Sequence, residues 1–536
     1  MANEKVGCCK SAGRWLAFGV TTAALVVYVA TLAPGLTFEH SGVDGGDLIA
    51  AARTLGVPHP SGYPTYTLLA WLVSHLPMGT VAYRVNLLSA LCAGVTGGLA
   101  CLSAQILLAG SRHRLALSAA TGLTLAFSSL LWSQAVIAEV YAMLALFAAL
   151  LLWLVLSWRQ IGGDVRLGLA GLVMGVGLGN HLSLVFALPA LLVLLWPKRR
   201  KWLRAKVLIP AAGLFLAGLC VYVYLPLAAS RHPAVNWGDP QTWDRLWWVV
   251  SGGPYHSYAF SLGLSQIPGR IAAWIGLLGD QFGWWGLILV VAGIWGWCQD
   301  AGGKQRQSGQ LLAVAFLAWG LPAGLYALFY STTDSYVYLL PLLVPLALAW
   351  GKGADYVLQL AQRLGPLWRR AALAILLLLP LGSLALHWQA ADLSHDRTAH
   401  TYMQQILDGA APGALIVAQG DRPTFALWYG LYADRQRPDL AVVCGPLLAY
   451  PWYRDQIRQL YPELVVPDPS SSSVAAGDPV RELIVTNLGH RVVYATDPPE
   501  AWRAWFSFAE EEDAPLYRVL AVSRASNKEG GACSNC

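Results

Sequence analysis

Asp44 and Asp47 stand on either side of a Gly-Gly pair, in FEHSGVDGGDLIAAARTLGVPHPSGYPTY (38–66). A carboxylate held by flexible backbone is suited to general-base work, taking the proton from an attacking hydroxyl. The same two acids precede LIAAARTLG, a good short helix, where they would cap its start and suit its dipole. The two uses are compatible, because a capped helix also fixes a carboxylate. His59 follows in His59-Pro60-Ser61-Gly62-Tyr63-Pro64, where two prolines stiffen the chain. Glu139, His181, Asp239 and Asp334 lie farther along, each in a polar break between apolar runs. Asp44 is the first choice for a base and Asp47 the second.

The elements that must position these groups follow from composition. Of 536 residues 56% are hydrophobic and only 12% charged, against about a quarter charged in soluble proteins. A conventional cytosolic enzyme and a large disordered chain are excluded. The apolar residues form long unbroken runs rather than alternating, which excludes a β-barrel. A polytopic α-helical membrane protein remains, and its 24 Trp and 22 Tyr suit membrane interfaces. The net charge of +6 is small and implies no nucleic-acid partner. Cys533 and Cys536 form a terminal C-x-x-C with no assigned role, and the other cysteines make no disulfide framework.

Basic clusters orient the spans. They are Lys5/Lys10/Arg14, Arg112/Arg114, Arg159/Arg166, Lys198 to Lys206, Lys304/Arg306, and Lys352 with Arg363, Arg369 and Arg370. With all of them cytoplasmic, each interval is a helical hairpin with its apex outside. The first outside loop is 34–80, and YPTYTLLAWLVSHL (63–76) within it is too short to span, so an interfacial or re-entrant helix is expected. The tally is about eleven spans of roughly 17–25 residues. This places the N-terminus in the cytoplasm and the C-terminal part outside an inner (plasma) membrane. The acids and histidines then gather on one face, as an outward-facing site requires, although outside loops are also where polar residues belong.

The transmembrane part is 1–393, and 394–536 reads as an extracytoplasmic soluble α/β domain. ALIVAQGD (414–421), LAVVCG (440–445) and ELIVTN (482–487) have the pattern of buried parallel strands, with a weaker strand in LYRVLAV (516–522). PDPSSSSVAAGDP (467–479) is a linker or surface loop. Asp421 ends the first strand, where it would cap the next helix or meet a ligand.

VDGGDLIAAARTLGVPHPSGYPTYTLL and AYRVNLLSAL (82–91) resemble a family of multispan proteins that includes the transmembrane O-mannosyltransferase of animals. WSQAVIAEVYAM (132–143), GLGNHLSL (177–184), VNWGDPQTWDRLWWVVSG (235–252) and GDRPTFALWYGLYADRQRPDLAVV (420–443) agree with it, in order along most of the chain. The resemblance implies a type C glycosyltransferase with about eleven spans. Its donor would be a polyprenyl-phosphate sugar, and it keeps an acid in the first outside loop. Animal relatives have Asp-Ser-Gly-Glu where this chain has Asp44-Gly45-Gly46-Asp47.

On this reading mannose or a similar hexose passes, with inversion, to a hydroxyl of an acceptor protein or glycan. His59, Arg84 and His181 would steady phosphate or sugar, and Tyr63, Asn86, Glu139, Tyr141, Asn180, Trp237, Asp239, Asp334 and Tyr338 would line the pocket. No metal site is assigned, a divalent cation is the one cofactor left open, and membrane lipids are the remaining partners. The alternative is a transporter or flippase for a lipid-linked sugar or small molecule, suggested by the glycine-interrupted GLGNH.

Overall fold

The computed structural model describes residues 2–299, 303–467 and 478–522. In hydrocarbon every backbone N–H and C=O needs a partner within its own segment, so long apolar runs become helices. The chain opens with α1 (Ala2–Ala30), followed by a loop that carries the short helices α2 (Gly45–Thr54) and α3 (Pro64–Val73). Next come α4 (Val81–Leu107), α5 (Arg114–Ala126), α6 (Ser129–Ala135), α7 (Tyr141–Ile161) and α8 (Asp164–Leu178). They are followed by α9 (Leu188–Leu195), α10 (Arg199–Trp202) and α11 (Ala205–Leu219). An insertion with α12 (Tyr224–Ala229) and α13 (Trp243–Val250) leads to α14 (Ile267–Gln299), α15 (Gly303–Phe329), α16 (Leu343–Leu364) and α17 (Pro366–Ala391).

Among the described residues, nine helices are long and apolar enough to cross a membrane, and α5 with α6, bent by 63°, makes a tenth. The chain is an integral multi-pass membrane protein. The difference from about eleven lies at α8, which has 15 residues where a bilayer core asks for roughly 17 or more; α8 packs along α11 instead of standing alone. The segment 63–76 contains α3, 10 residues long, and is a short helix as expected.

The C-terminal part contains α18 (Thr398–Gly409), β1 (Leu415–Ala418), α19 (Asp421–Trp428), β2 (Ala441–Cys444), α20 (Pro451–Leu460), α21 (Pro479–Asn487), β3 (Val493–Ala495), β4 (Phe506–Glu510) and β5 (Tyr517–Val522). The sheet order is β2-β1-β3-β5-β4. β1 is parallel to both β2 and β3, whereas β5 runs antiparallel to β3 and β4. Strands β1 and β2 are buried throughout, because helices cover the parallel part of the sheet on both faces.

One expected strand is a helix. ELIVTN lies in α21, where the Asp478 side chain accepts hydrogen bonds from the Val480 and Arg481 N–H groups and Pro479 holds the first turn. That start signal outweighs the apolar run, and the third parallel strand is Val493–Ala495 instead. Most of the 467–479 linker, and Cys533 and Cys536, lie outside the described residues. One hydrophobic core runs without a break from the long helices into the sheet, so the two parts pack as one body.

Candidate active site

The connection after α1 is the frame of the site, and it touches those after α6, α8, α12, α15 and α17 through Ala33–Val136, Thr65–Gly179, Val57–Val235, Ser41–Tyr336 and Thr31–Leu393. α2 ends with Leu55 in the left-handed region (φ 50°), and Val57 then pairs with the insertion after α12. Its N–H donates to the Val235 carbonyl (2.9 Å), and the Trp237 N–H donates to the Val57 carbonyl (3.0 Å). Gly56 permits that approach, since a Cβ there would sit 2.2 Å from the Val235 oxygen. Two loops far apart in sequence are thus locked side by side.

Asp47 is fully buried, and a buried carboxylate is tolerable only when its lone pairs are matched. Three donors match them: the His59 backbone N–H (2.9 Å), His59 Nδ1 (2.7 Å) and Trp237 Nε1 (3.0 Å). His59 therefore has a fixed ring plane, and its other nitrogen, Nε2, lies 3.6 Å from the Asp44 carboxylate. Asp44 differs from Asp47 in every respect. It immediately precedes α2 but makes no capping bond with its side chain, and that side chain is 43% exposed.

Partial burial, opposed by His59 and reinforced by Asp421, Asp47 and Asp334, pushes the Asp44 carboxyl up to about 6. Burial alone would lower His59, but Asp44, Asp47 and Glu139 outweigh it and raise the imidazole to about 9. At neutral pH the pair is a carboxylate facing an imidazolium. Glu139 is buried and pushed well up by burial and by the Asp44 charge. His181 behaves oppositely: burial and the neighbouring His59 charge bring it down to about 4. Its Nδ1 accepts from the Ser183 N–H (3.1 Å), which leaves Nε2–H as the donor of a neutral ring.

An aromatic wall stands beside this group. His181 stacks on Tyr63, with ring centres 6.0 Å apart, and meets Tyr141 and Tyr338 at 5.6 Å. Asn180 donates to the Val140 carbonyl (3.1 Å), and its own oxygen is buried without a partner. Asp44, Asp47, His59, Tyr63, Glu139, Tyr141, Asn180, His181, Trp237 and Asp334 are thus brought together.

Three expected residues are placed elsewhere. Arg84 spends its guanidinium on the Ser74, Met78 and Gly79 carbonyls (2.6–2.9 Å), so it clamps its own loop rather than facing the acids. Asn86 donates to the Ala33 and Gly35 carbonyls and secures the chain after α1. Asp239 is paired with Arg245 at 2.5 Å, at the junction of the insertion with α20.

The C-terminal part supplies further groups, of which only Asp421 stood out in the residue pattern, at the end of the first strand. α19 lies directly on α2: a Cβ on Gly46 would fall 2.3 Å from the Phe425 carbonyl oxygen, so only glycine admits this approach. Phe425 stacks over His59 (6.4 Å), and Trp237 is surrounded by Phe425, Trp428 and Trp452. Asp421 does not cap α19, whose N-cap is Gly420. Burial and the charge of Asp47 raise its carboxyl, against the pull of His59, which places it among the site's acids. Tyr255 also feels the charges of Asp44, Asp421 and Asp47. Phe425 falls inside the family-like segment 420–443, its one visible signal, whereas Asp421 also stood out by ending the first strand.

Family models described as the protein O-mannosyl-transferase TMEM260 N-terminal domain and the TMEM260-associated domain 2 match residues 44–204 and 399–472. The chain is 27% identical over 498 residues to protein O-mannosyl-transferase TMEM260 of Mus musculus, covering 85% of this chain and 67% of that protein. The Dictyostelium discoideum counterpart is 22% identical over 523 residues, covering 88% of this chain and 62% of that one. The chain is thus similar to the TMEM260 proteins over most of its length. It spans about two thirds of the length of these relatives.

A like fold is also found among solved structures. ArnT from Cupriavidus metallidurans, bound to undecaprenyl phosphate, superposes with a TM-score of 0.59 at 15% identity, over 93% of this chain and 96% of that one. The Archaeoglobus fulgidus oligosaccharyltransferase gives 0.53 at 10% identity, over 96% of this chain and 74% of that one. The chain is a membrane glycosyltransferase of type C architecture, a TMEM260-like protein in which Asp44, Asp47 and His59 form the acid–imidazole centre.

Proposed function

We propose that the chain transfers mannose, or a hexose close to it, from a polyprenyl phosphate to a hydroxyl of an acceptor protein or glycan. The observation that carries this reading is the asymmetry of the two carboxylates. Asp47 is saturated with donors, whereas Asp44 is open on one side and basic enough to take a proton. Asp44 accepts the acceptor's hydroxyl proton, the oxygen bonds to the anomeric carbon, and the bond from that carbon to the lipid phosphate breaks. The phosphate leaves as an anion, so no general acid is needed, and a single displacement inverts the centre. His59 provides fixed positive charge beside the reacting groups, and a divalent cation is unnecessary. Neutral His181 and the tyrosine wall hold the sugar.

Names of the relatives and the undecaprenyl phosphate held by ArnT support the donor and acceptor classes. The basic clusters support a cytoplasmic N-terminus, with the site and the C-terminal part on the extracytoplasmic face of the inner membrane.

The pH profile tests the mechanism. The rate falls as pH drops through about 6, where Asp44 takes up a proton, and again as pH rises through about 9, where His59 loses one. Transfer rates measured across that range give a bell whose upper limb disappears in His59→Gln, and added chelator changes nothing. A rate that stays level through pH 6 would remove Asp44 as the base.

A further inference from the structure

A second cavity, of about 130 Å³, lies between the insertion after α12 and α20, with His232, Asn236, Asp239, Trp452, Asp455 and Gln456 among its walls. Three of these side chains are more than nine-tenths buried: Asn236 at 4% exposure, and Trp452 and Gln456 at 8% each. Each also carries a buried polar atom without a partner, namely Asn236 Oδ1, Trp452 Nε1 and Gln456 Oε1. Buried polar atoms are almost always satisfied, so three orphans around one cavity point to a ligand.

The other half of each amide fixes which atom is left over. Asn236 Nδ2 donates to Asp239 (3.1 Å), which is itself held by Gln241 and Arg245. Gln456 Nε2 donates to the Ala234 carbonyl (2.7 Å). The residues that line the cavity therefore leave two amide oxygens and one indole N–H unmatched, beside the carboxylates of Asp239, paired with Arg245, and Asp455, paired with Arg458. An anion would meet acceptors and negative charge. A metal ion would leave the indole N–H unmatched, and an apolar chain would leave all three orphans buried. A neutral molecule with several hydroxyls matches them all, since each hydroxyl both donates and accepts. At roughly 10–15 Å³ per water-sized sphere, the cavity takes about ten non-hydrogen atoms, close to one hexose ring.

We propose that this cleft is a second carbohydrate subsite, holding a neutral sugar unit other than the one transferred. It deepens the transferase reading and rests on it for the sugar's role. Trp237 connects the two sites, for its Nε1 donates to Asp47 while its ring lies 6.1 Å from that of Trp452.

Saturation-transfer NMR with methyl α-mannopyranoside on the full chain in nanodiscs tests the subsite. The sugar should give a saturable signal with the unsubstituted chain and an equal one with Asp44→Asn. Binding should weaken about tenfold in Gln456→Leu and in Trp452→Phe, which removes the indole N–H donor together with part of the ring. No signal with the unsubstituted chain means a hydrated cleft and overturns the proposal. So does a signal untouched by both cleft variants, which places the sugar at the transfer centre. A chain that binds sugar in this pattern but transfers none would refute the transferase mechanism and leave the subsite standing.

Discussion

Asp44→Asn lowers the turnover of sugar transfer by about 100- to 10,000-fold, the usual loss when a positioned base is removed. The substitution leaves the fold intact, because the Asp44 side chain is partly exposed and caps no helix. Asp47→Asn behaves differently. It weakens a buried carboxylate that accepts from His59 twice and from Trp237, and breaking such a buried pair costs about 3–5 kcal/mol of stability. Paired measurements of kcat and thermal midpoint separate the two roles. Asp44→Asn should change kcat alone, and Asp47→Asn should lower both. If Asp44→Asn turns over normally and Asp47→Asn is folded but dead, the base is Asp47.

Gly46→Ala should lower transfer by about 100-fold without touching a reacting group. A Cβ at position 46 would lie 2.3 Å from the Phe425 carbonyl oxygen and 2.6 Å from its carbon, both backbone atoms that cannot swing away. α19 must lift from α2, carrying Asp421 and Phe425 off His59. Misplacement by about 1 Å in an active site costs on the order of 100-fold. Limited proteolysis should find the C-terminal part more readily cut in Gly46→Ala than in Gly110→Ala, where nothing lies within 4 Å. If Gly46→Ala matches the unsubstituted chain in both assays, the C-terminal part is not a wall of the site.

What was legible in the chain follows from distance along it. Asp44, Asp47 and His59 lie within one short stretch, so all three stood out in the motif, while the pairing of His59 with both acids and their division of labour did not. Whether a carboxylate is open or saturated depends on Trp237, which lies far along the chain and becomes a neighbour only because Val57 pairs with Val235 and Trp237. Glu139, His181 and Asp334 were visible as polar breaks between apolar runs, the one place where a membrane chain keeps such groups. Arg84, Asn86 and Asp239 have the same residue types but are spent locally on carbonyls or on Arg245, and type alone does not reveal a partner. On α19, Asp421 was visible at a strand end, but the packing of the helix on α2 was not, because Gly46 has to be seen against Phe425. ELIVTN misled because Asp478 and Pro479, just before it, start a helix that hydrophobicity alone cannot distinguish from a buried strand.

Transfer from a lipid phosphate should occur at the face bearing the first loop. The most direct test uses sealed vesicles containing the purified chain and a labelled polyprenyl-phosphate mannose, with acceptor supplied on the side where an impermeant maleimide reaches a Ser41→Cys variant. Label should appear on the acceptor, in the anomeric configuration opposite to that of the donor, and none should appear with Asp44→Asn. Labelled lipid that crosses the bilayer with its sugar still attached, or a product that retains the donor's configuration, would contradict it.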